Sequence, residues 1–301
     1  MIPRSLRVLL EGLIDYSGFA PPAGLPVADM VRNYAAYLRG EHRWLLGRSI
    51  LPLAKVGEYE AAFSACDGRG VSDPWRISAL TTGKASDDVA AIAAFNARHA
   101  DRAVIDMIEL KADTPDAIRA LRPTVPAKLK AYVEIPLTGD LASLTAALAA
   151  NGFRAKARTG GLTPDAIPSC ELVARFIVAC RAARIPFKFT AGMHAPLRSV
   201  RALTYAADSP TAPMHGFLNA FLAAAIAWQG AEYRDIVQAL NDTAAEAFHF
   251  DDERALWRDT RIACEFLEAV RRNFATSLGS CSFTEPIEGL QALKLISPRS
   301  G

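Results

Sequence analysis

Short apolar runs alternate with amphipathic stretches about eight times along this 301-residue chain, at intervals of roughly 25 to 40 residues. A short apolar run bounded by turn residues reads as a buried strand, and apolar residues recurring at three- and four-residue steps read as one face of a helix. Parallel strands can be joined only by a crossover long enough to hold such a helix. The alternation therefore restricts the chain to a closed parallel barrel or an open doubly wound sheet. No run is followed by the GxGxxG turn of dinucleotide folds, and charged residues recur on several runs, as they do in barrel interiors. The sequence predicts an α/β fold, a (β/α)8 TIM-type barrel with extra C-terminal helices.

Leu9 to Phe19 holds the first strand, and Trp44–Leu53, Trp75–Thr82, Ala103–Leu110, Lys130–Leu137, Phe153–Thr159 and Pro186–Ala191 are strands two to seven. Met30, Val31, Tyr34 and Leu38 share one face of a helix that ends near Gly40, and Leu172, Val173, Phe176, Ile177 and Cys180 share one face of a helix that Pro186 stops. Ser86, Thr114 before Pro115, and Asp140 are helix-start signals. The eighth strand is expected within Thr211–Leu218, leading into a helix over Phe217–Trp228. Two more helices follow, over roughly 231–248 and 252–274. With no repeat or linker, one domain over 1–301 is expected, its barrel spanning about 9–230 and its helical extension about 231–301.

Composition narrows the function classes. A net charge of +2 with 22% charged residues and no block of like charge points away from nucleic acid and membrane surfaces and toward a small-molecule partner. The most apolar stretch, Gly216–Trp228, is too short for a membrane span, and Met1–Leu13, interrupted by Arg4, Arg7 and Glu11, is not a secretory signal. A cytoplasmic location is expected, and assembly into a homo-oligomer is left open. Cys66, Cys170, Cys180, Cys264 and Cys281 are odd in number and show no CxxC pattern, so neither a disulfide framework nor a zinc site is indicated.

The chemistry concentrates between Gly152 and Arg198, where two neighbouring strands each carry a lysine and each end in glycine. An ammonium inside a sheet loses hydration that only a partner or a lowered pKa restores. If Lys156 and Lys188 face each other, each depresses the other's pKa, and a neutral amine can form a Schiff base with an aldehyde or ketone. The alternative is that one or both reach solvent at the strand ends.

In a barrel the active site lies at the carboxyl ends of the strands. The polar residues there are Asp15 and Tyr16, Arg48, Asp106 with Glu109 and Lys111, Glu134, Lys156 with Arg158, Lys188 with His194, and His215 with Asn219. On strand four Asp106 and Glu109 have opposite parity, and period two does not choose between them. Glu134 is enclosed by Tyr132, Val133, Ile135 and Pro136, which suits a carboxylate paired with a neighbouring lysine. His194 and His215 suit proton transfer or packing. Gly160, Gly161, Gly192 and the segment Gly279–Ser282 offer backbone amides to a phosphate or carboxylate.

KARTG at Lys156–Gly160 and FKFTAG at Phe187–Gly192 resemble the paired lysine strands of the deoxyribose-phosphate aldolases, Schiff-base enzymes on a β/α barrel, with 188 − 156 = 32 residues between the lysines. VIDMI at Val104–Ile108 is similar to that family's acidic fourth strand. The resemblance covers about 100 residues and implies Lys156 as nucleophile, Lys188 as its pKa partner and Asp106 as proton-relay acid. Arg158 stands where the family has a serine, and the second of the family's paired glycines is absent after Gly192.

Three functions follow. In the first, a cofactor-independent lyase or aldolase forms a Schiff base at Lys156 with a small anionic carbonyl compound. Arg48 and Arg158 hold the anion, Glu109, Lys111, His215 and the glycines border the substrate, and Asp106, Glu134 or His194 moves the proton. In the second, Glu109, Glu134, His194 and His215 bind one divalent metal ion in an isomerase or hydrolase. In the third, the barrel binds an anionic metabolite without catalysis.

Overall fold

A computed structural model describes residues 2–66 and 73–297. It contains the strands β1 Ile14–Tyr16, β2 Leu46–Pro52, β3 Trp75–Leu80, β4 Ala103–Lys111, β5 Lys130–Glu134, β6 Arg154–Arg158, β7 Phe187–Thr190, β8 Ser199–Ala202, β9 Thr211–Met214, β10 Phe248–Phe250, β11 Arg254–Trp257, β12 Thr260–Ala263 and β13 Ala275–Ser280. The helices are α1 Arg4–Leu10, α2 Val27–Arg39, α3 Val56–Ala65, α4 Ala85–His99, α5 Pro115–Leu121, α6 Leu141–Ala150, α7 Cys170–Ala183, α8 Phe217–Gln229, α9 Tyr233–Asn241, α10 Cys264–Asn273 and α11 Thr284–Ala292.

Eight of the strands close into a parallel barrel in the order β1-β13-β7-β6-β5-β4-β3-β2. The first strand and strands two to seven fall within the runs expected for them, save that β4 continues one residue further to Lys111, and the Thr114 and Asp140 side chains cap α5 and α6 by accepting backbone N–H bonds. Helix α4 begins one residue before Ser86, with Lys84 in the cap position. Leu9 and Leu10 of the first run belong to α1, which precedes β1.

The eighth barrel strand is β13, not the stretch around Met214. Thr211–Met214 instead pairs antiparallel with β8 in a hairpin outside the barrel. The strand that closes the barrel, ATSLGS, has no continuous apolar run because it turns serine and glycine inward, and so lacks the signal of a buried parallel strand. The barrel consequently extends to Ser280, past the boundary expected near residue 230. The extra helices in the C-terminal part are present as α9, α10 and α11, but α9 and α10 precede the last barrel strand. The long helices expected over 231–248 and 252–274 are interrupted by the antiparallel sheet β10-β11-β12, where burial alternates along Arg254, Ala255, Leu256 and Trp257. Residues 298–301 of the expected extension lie outside the described residues.

Three barrel strands carry an extra residue relative to a neighbour: β2 against β1, β4 against β3, and β13 against β7. A bulge of this kind resets the two-residue alternation and re-aims side chains. In β4 it falls at Asp106, since Ile105 is opposite Ile77 and Met107 opposite Ser78. Asp106 and Glu109, three residues apart, can therefore both face the interior.

Outside the sheet, the α2 residues Met30, Val31 and Tyr34 and the α7 residues Val173, Phe176, Ile177 and Cys180 are buried in one continuous core with the outward-facing Phe187 and Phe189 of β7. Helix α8 is buried on nearly all sides, as α7, α9 and α10 pack around it. No described helix is long and apolar enough to cross a membrane.

Candidate active site

A cavity of about 700 Å³ opens at the carboxyl ends of the strands. Lys156, Glu109 and Glu134 border it at the barrel end, Lys111, Arg158 and Arg201 add cationic groups, and Phe19, Ile50, Leu80, Leu203 and Met214 supply apolar surface. The β8–β9 hairpin and the segment joining its strands form part of the wall.

The register of β5, β6 and β7 places Glu134 beside Lys156 and Lys156 beside Lys188. The two ammonium groups do not meet directly. Glu109 lies between them, with Oε2 2.8 Å from Lys156 Nζ and Oε1 accepting from Lys188 Nζ at 2.7 Å. Lys188 also donates to Asp15 Oδ2 at 2.6 Å, and Lys156 lies 2.9 Å from Glu134 Oε2. The result is a chain of alternating charge, Asp15–Lys188–Glu109–Lys156–Glu134. Ser277 and Ser78 donate to Asp15 and Glu109 at 2.7 and 2.8 Å, and the Arg48 backbone N–H donates to Asp15 Oδ1 at 2.8 Å. Buried charge requires this degree of pairing.

Burial opposes the charged forms of these groups, and their partners reverse it. Burial raises the Glu109 pKa, but Lys156 and Lys188 outweigh this and hold it well below the usual carboxylate range. Burial lowers the Lys188 pKa, but Asp15 and Glu109 outweigh this and raise it above the ordinary lysine value. Lys188 is a fixed cation, which corrects the expectation that the two lysines depress each other. Partial burial raises the Glu134 pKa, but Lys156 and Arg158 outweigh this and lower it.

The two lysines differ in access. Lys188 is fully buried and does not border the cavity, whereas Lys156 does. Glu134 Oε2 has no directed hydrogen-bond donor among the described residues despite its closeness to Lys156, so that contact is an ion pair alone.

Asp106 and Arg48 lie elsewhere. Arg48 binds Asp106 through Nε and a terminal nitrogen at 2.7 and 2.8 Å, and Arg76 and Lys130 join the same carboxylate. Arg76 and Lys130 stand at the amino ends of β3 and β5, so this cluster is the floor of the barrel, outside the cavity. The proton-relay and anion-holding positions inferred for Asp106 and Arg48 are thus displaced, and Glu109 is the carboxylate beside both lysines. His215 is turned away, its Nε2 2.7 Å from the Pro168 carbonyl and its Nδ1 near Cys170. Burial lowers its pKa to about 4, so it is neutral at pH 7.

The chain matches no protein-family model and no curated protein. The site stands on its own geometry.

His194 borders the cavity, bonded to Glu285 and Cys281 and not to the lysine chain. Among the described residues no three His, Cys, Asp or Glu side chains are grouped to hold a metal ion. The four residues considered as ligands do not converge: Glu109 and Glu134 serve the lysines, while the two histidines have other partners. Gly161 and Gly192 border the cavity, and Gly160 allows a close backbone approach, since a Cβ there would lie 2.4 Å from Gly192 Cα. Ala191 and Gly192 have φ of 65° and 80°, a left-handed pair that turns the chain sharply beside the site. Sequence reasoning missed Ser78, Ser277, Cys281, Tyr205 and Glu285. Only the SCSFTE segment, polar residues directly after a strand end, carried a signal for two of them.

Proposed function

We propose that the protein is a lyase of the aldolase type that forms a Schiff base between Lys156 and a small anionic carbonyl compound. The observation that carries this reading is the contrast between the lysines: one amine reaches the cavity between two carboxylates, and the other is a permanent cation behind it.

The ammonium of Lys156 passes a proton to Glu134, and the free amine adds to the carbonyl carbon. A second amine proton passes to the carbonyl oxygen to give the carbinolamine, Glu134 returns the first to that hydroxyl, which leaves as water, and the protonated imine keeps its positive charge beside Glu109. The imine withdraws electrons from the adjacent carbon, so a C–H or C–C bond there can break while Glu134 exchanges the proton. Lys188 keeps Glu109 ionised, and Asp15 neutralises Lys188. Arg158 and Lys111, at the rim, hold the anionic group of the substrate. Arg158 takes over the anion-holding part that the sequence had divided between it and Arg48.

Incubation with small aldehydes, oxo-acids and sugar phosphates, followed by borohydride reduction and peptide mapping, tests the reading. A stable mass gain on Lys156 and none on Lys188 is expected. An adduct on Lys188, or none with any compound, overturns it.

A further inference from the structure

On the wall of the same cavity three separate segments bring together a second reactive group. Cys281 directly follows β13, His194 lies in the loop after β7, and Glu285 is in the first turn of α11. Cys281 Sγ lies 3.6 Å from His194 Nε2, and the other ring nitrogen, Nδ1, lies 3.0 Å from Glu285 Oε2. Tyr205, on the segment joining β8 to β9, donates its hydroxyl to Glu285 Oε1 and fixes the carboxylate. All four residues border the cavity, while Cys281 and His194 are only 6% and 8% exposed.

A thiol against one imidazole nitrogen, with a carboxylate on the other, is the arrangement in which a cysteine becomes a nucleophile: the imidazole takes the thiol proton and the carboxylate orients the ring. A purely structural cysteine needs none of this. Cys180, for comparison, is buried on α7, and nothing but burial acts on its thiol, which it pushes well above the ordinary value. His194 is suited to hold a proton. Burial lowers its pKa, but Cys281 and Glu285 outweigh this and raise it to about 9.

We propose that Cys281 is a second covalent site, at which its sulfur adds to the carbonyl carbon of an aldehyde ligand, with His194 holding the proton and delivering it to the carbonyl oxygen and Glu285 as the residue that positions His194. The proton already rests on His194 Nε2 when a sulfur lone pair forms the C–S bond. The carbonyl π pair moves to oxygen, which takes the proton back from Nε2. The product is a neutral thiohemiacetal, reached without an oxidant or a leaving group. The site does not rest on the lysine chemistry, because neither lysine touches these residues in any ion pair or hydrogen bond of the structure.

The test uses the full chain carrying Lys156→Met, so that no imine forms at that lysine. Iodoacetamide alkylation of Cys281 is followed by peptide mapping at pH 7, with and without glyoxylate, and with acetate as the anion that has no aldehyde. Cys281 is expected to be alkylated, with His194→Gln and Glu285→Gln each lowering its rate by on the order of tenfold or more. Glyoxylate should protect it and acetate should not. The proposal is overturned if Cys281 is not alkylated, if neither variant changes its rate, or if the two anions protect equally. Two variants on different segments keep the test standing should one not fold, and borohydride trapping on the unmodified chain reports separately on Lys156.

Discussion

At the carboxyl ends of the strands Lys156, Glu109 and Glu134 border an open cavity of about 700 Å³, while at the amino ends Asp106 is clasped by Arg48, Arg76 and Lys130 with none of the four bordering it. Both clusters interrupt the Val, Ile and Leu layers that fill a purely structural barrel. The floor cluster reaches water, its Arg76 and Lys130 side chains 55% and 39% exposed, whereas Lys188, Asp15 and Glu109 are all but fully buried. Charge inside a barrel is therefore not itself a sign of chemistry. What separates the two ends is a set of paired, largely buried charges of which one lysine, Lys156, with its carboxylates Glu109 and Glu134, borders empty volume. Burial raises and Arg48 with Arg76 lowers the Asp106 pKa, leaving it below the usual carboxylate range. Asp106 so stays charged at the floor.

The hardest way to break this contrast is to remove one lysine at a time. Lys156→Met should abolish the borohydride-trapped adduct with the fold intact. Lys188→Met leaves Asp15 and Glu109 buried without their shared cation, and loss of one partner from a buried ion pair costs about 3–5 kcal/mol. Chemical denaturation of both variants measures the difference, with Lys188→Met the less stable. If Lys156→Met still traps the carbonyl compound, the distinction between the lysines fails.

The cavity end alone should respond to pH near neutrality, through His194. Its ring is faced by Cys281 and Glu285, with Tyr205 and Arg201 acting on Glu285. The folded pKa, about 9, lies above the unfolded value of about 6.5, so the folded state binds the extra proton between them. The contribution to stability is complete below about pH 6.5 and is lost as pH rises through 9, up to about 3 kcal/mol in all. Thermal unfolding from pH 6 to 10 should fall more steeply in the natural chain than in His194→Gln. Parallel curves would show that the histidine is not held as described.

How much of this the sequence disclosed follows from which residues keep a regular period. The lysine strands are legible because β6 and β7 carry no irregularity against each other and each is followed two residues on by glycine, so Lys156 and Lys188 fall at matching positions. The resemblance of VIDMI implies Asp106 as the working acid, yet the bulge at that residue turns Asp106 and Glu109, which a regular strand would place on opposite faces, both into the interior at different depths. A bulge depends on pairing with β3, which no local pattern reports. Strand β13 was invisible for a related reason: its inward residues Ser277 and Gly279 make room for Asp15 and the cavity, which removes the apolar run a strand is recognised by. The Cys281–His194–Glu285 set joins residues 87 and 91 positions apart, a distance at which only the fold brings side chains together.

Asp106→Asn separates the two ends directly. Asn retains the shape and loses the charge that Arg48 and Arg76 share, at a cost of about 2 kcal/mol for a partly exposed cluster. The rate of adduct formation at Lys156 should remain within about twofold of the natural chain, since a change on the order of RT in barrier is all that a charge outside the cavity contributes. A tenfold loss of trapping in a folded Asp106→Asn protein would restore Asp106 to the reaction and remove the distinction between floor and mouth.

The smallest effect belongs to the residue between the two ends. Tyr132 is fully buried, with its ring centroid 5.8 Å from Lys188 Nζ, so the aromatic face adds to the hold on that ammonium. Its hydroxyl points the other way, 2.7 Å from Thr276 Oγ1, and accepts from Arg154 at 3.3 Å. The ring thus belongs to the lysine chain and the hydroxyl to the floor, and single substitutions divide them. Tyr132→Phe keeps the ring and removes one hydrogen-bonding group, a loss of about 1 kcal/mol, because Thr276 retains the Phe187 carbonyl at 2.9 Å. Tyr132→Leu removes the ring as well and should lower the denaturation midpoint further, with a slower rate of adduct formation that Tyr132→Phe does not show. Equal trapping rates in the two variants would mean that the ring only fills space, and the boundary between the two charged layers would then lie at Glu109 and Lys188 themselves.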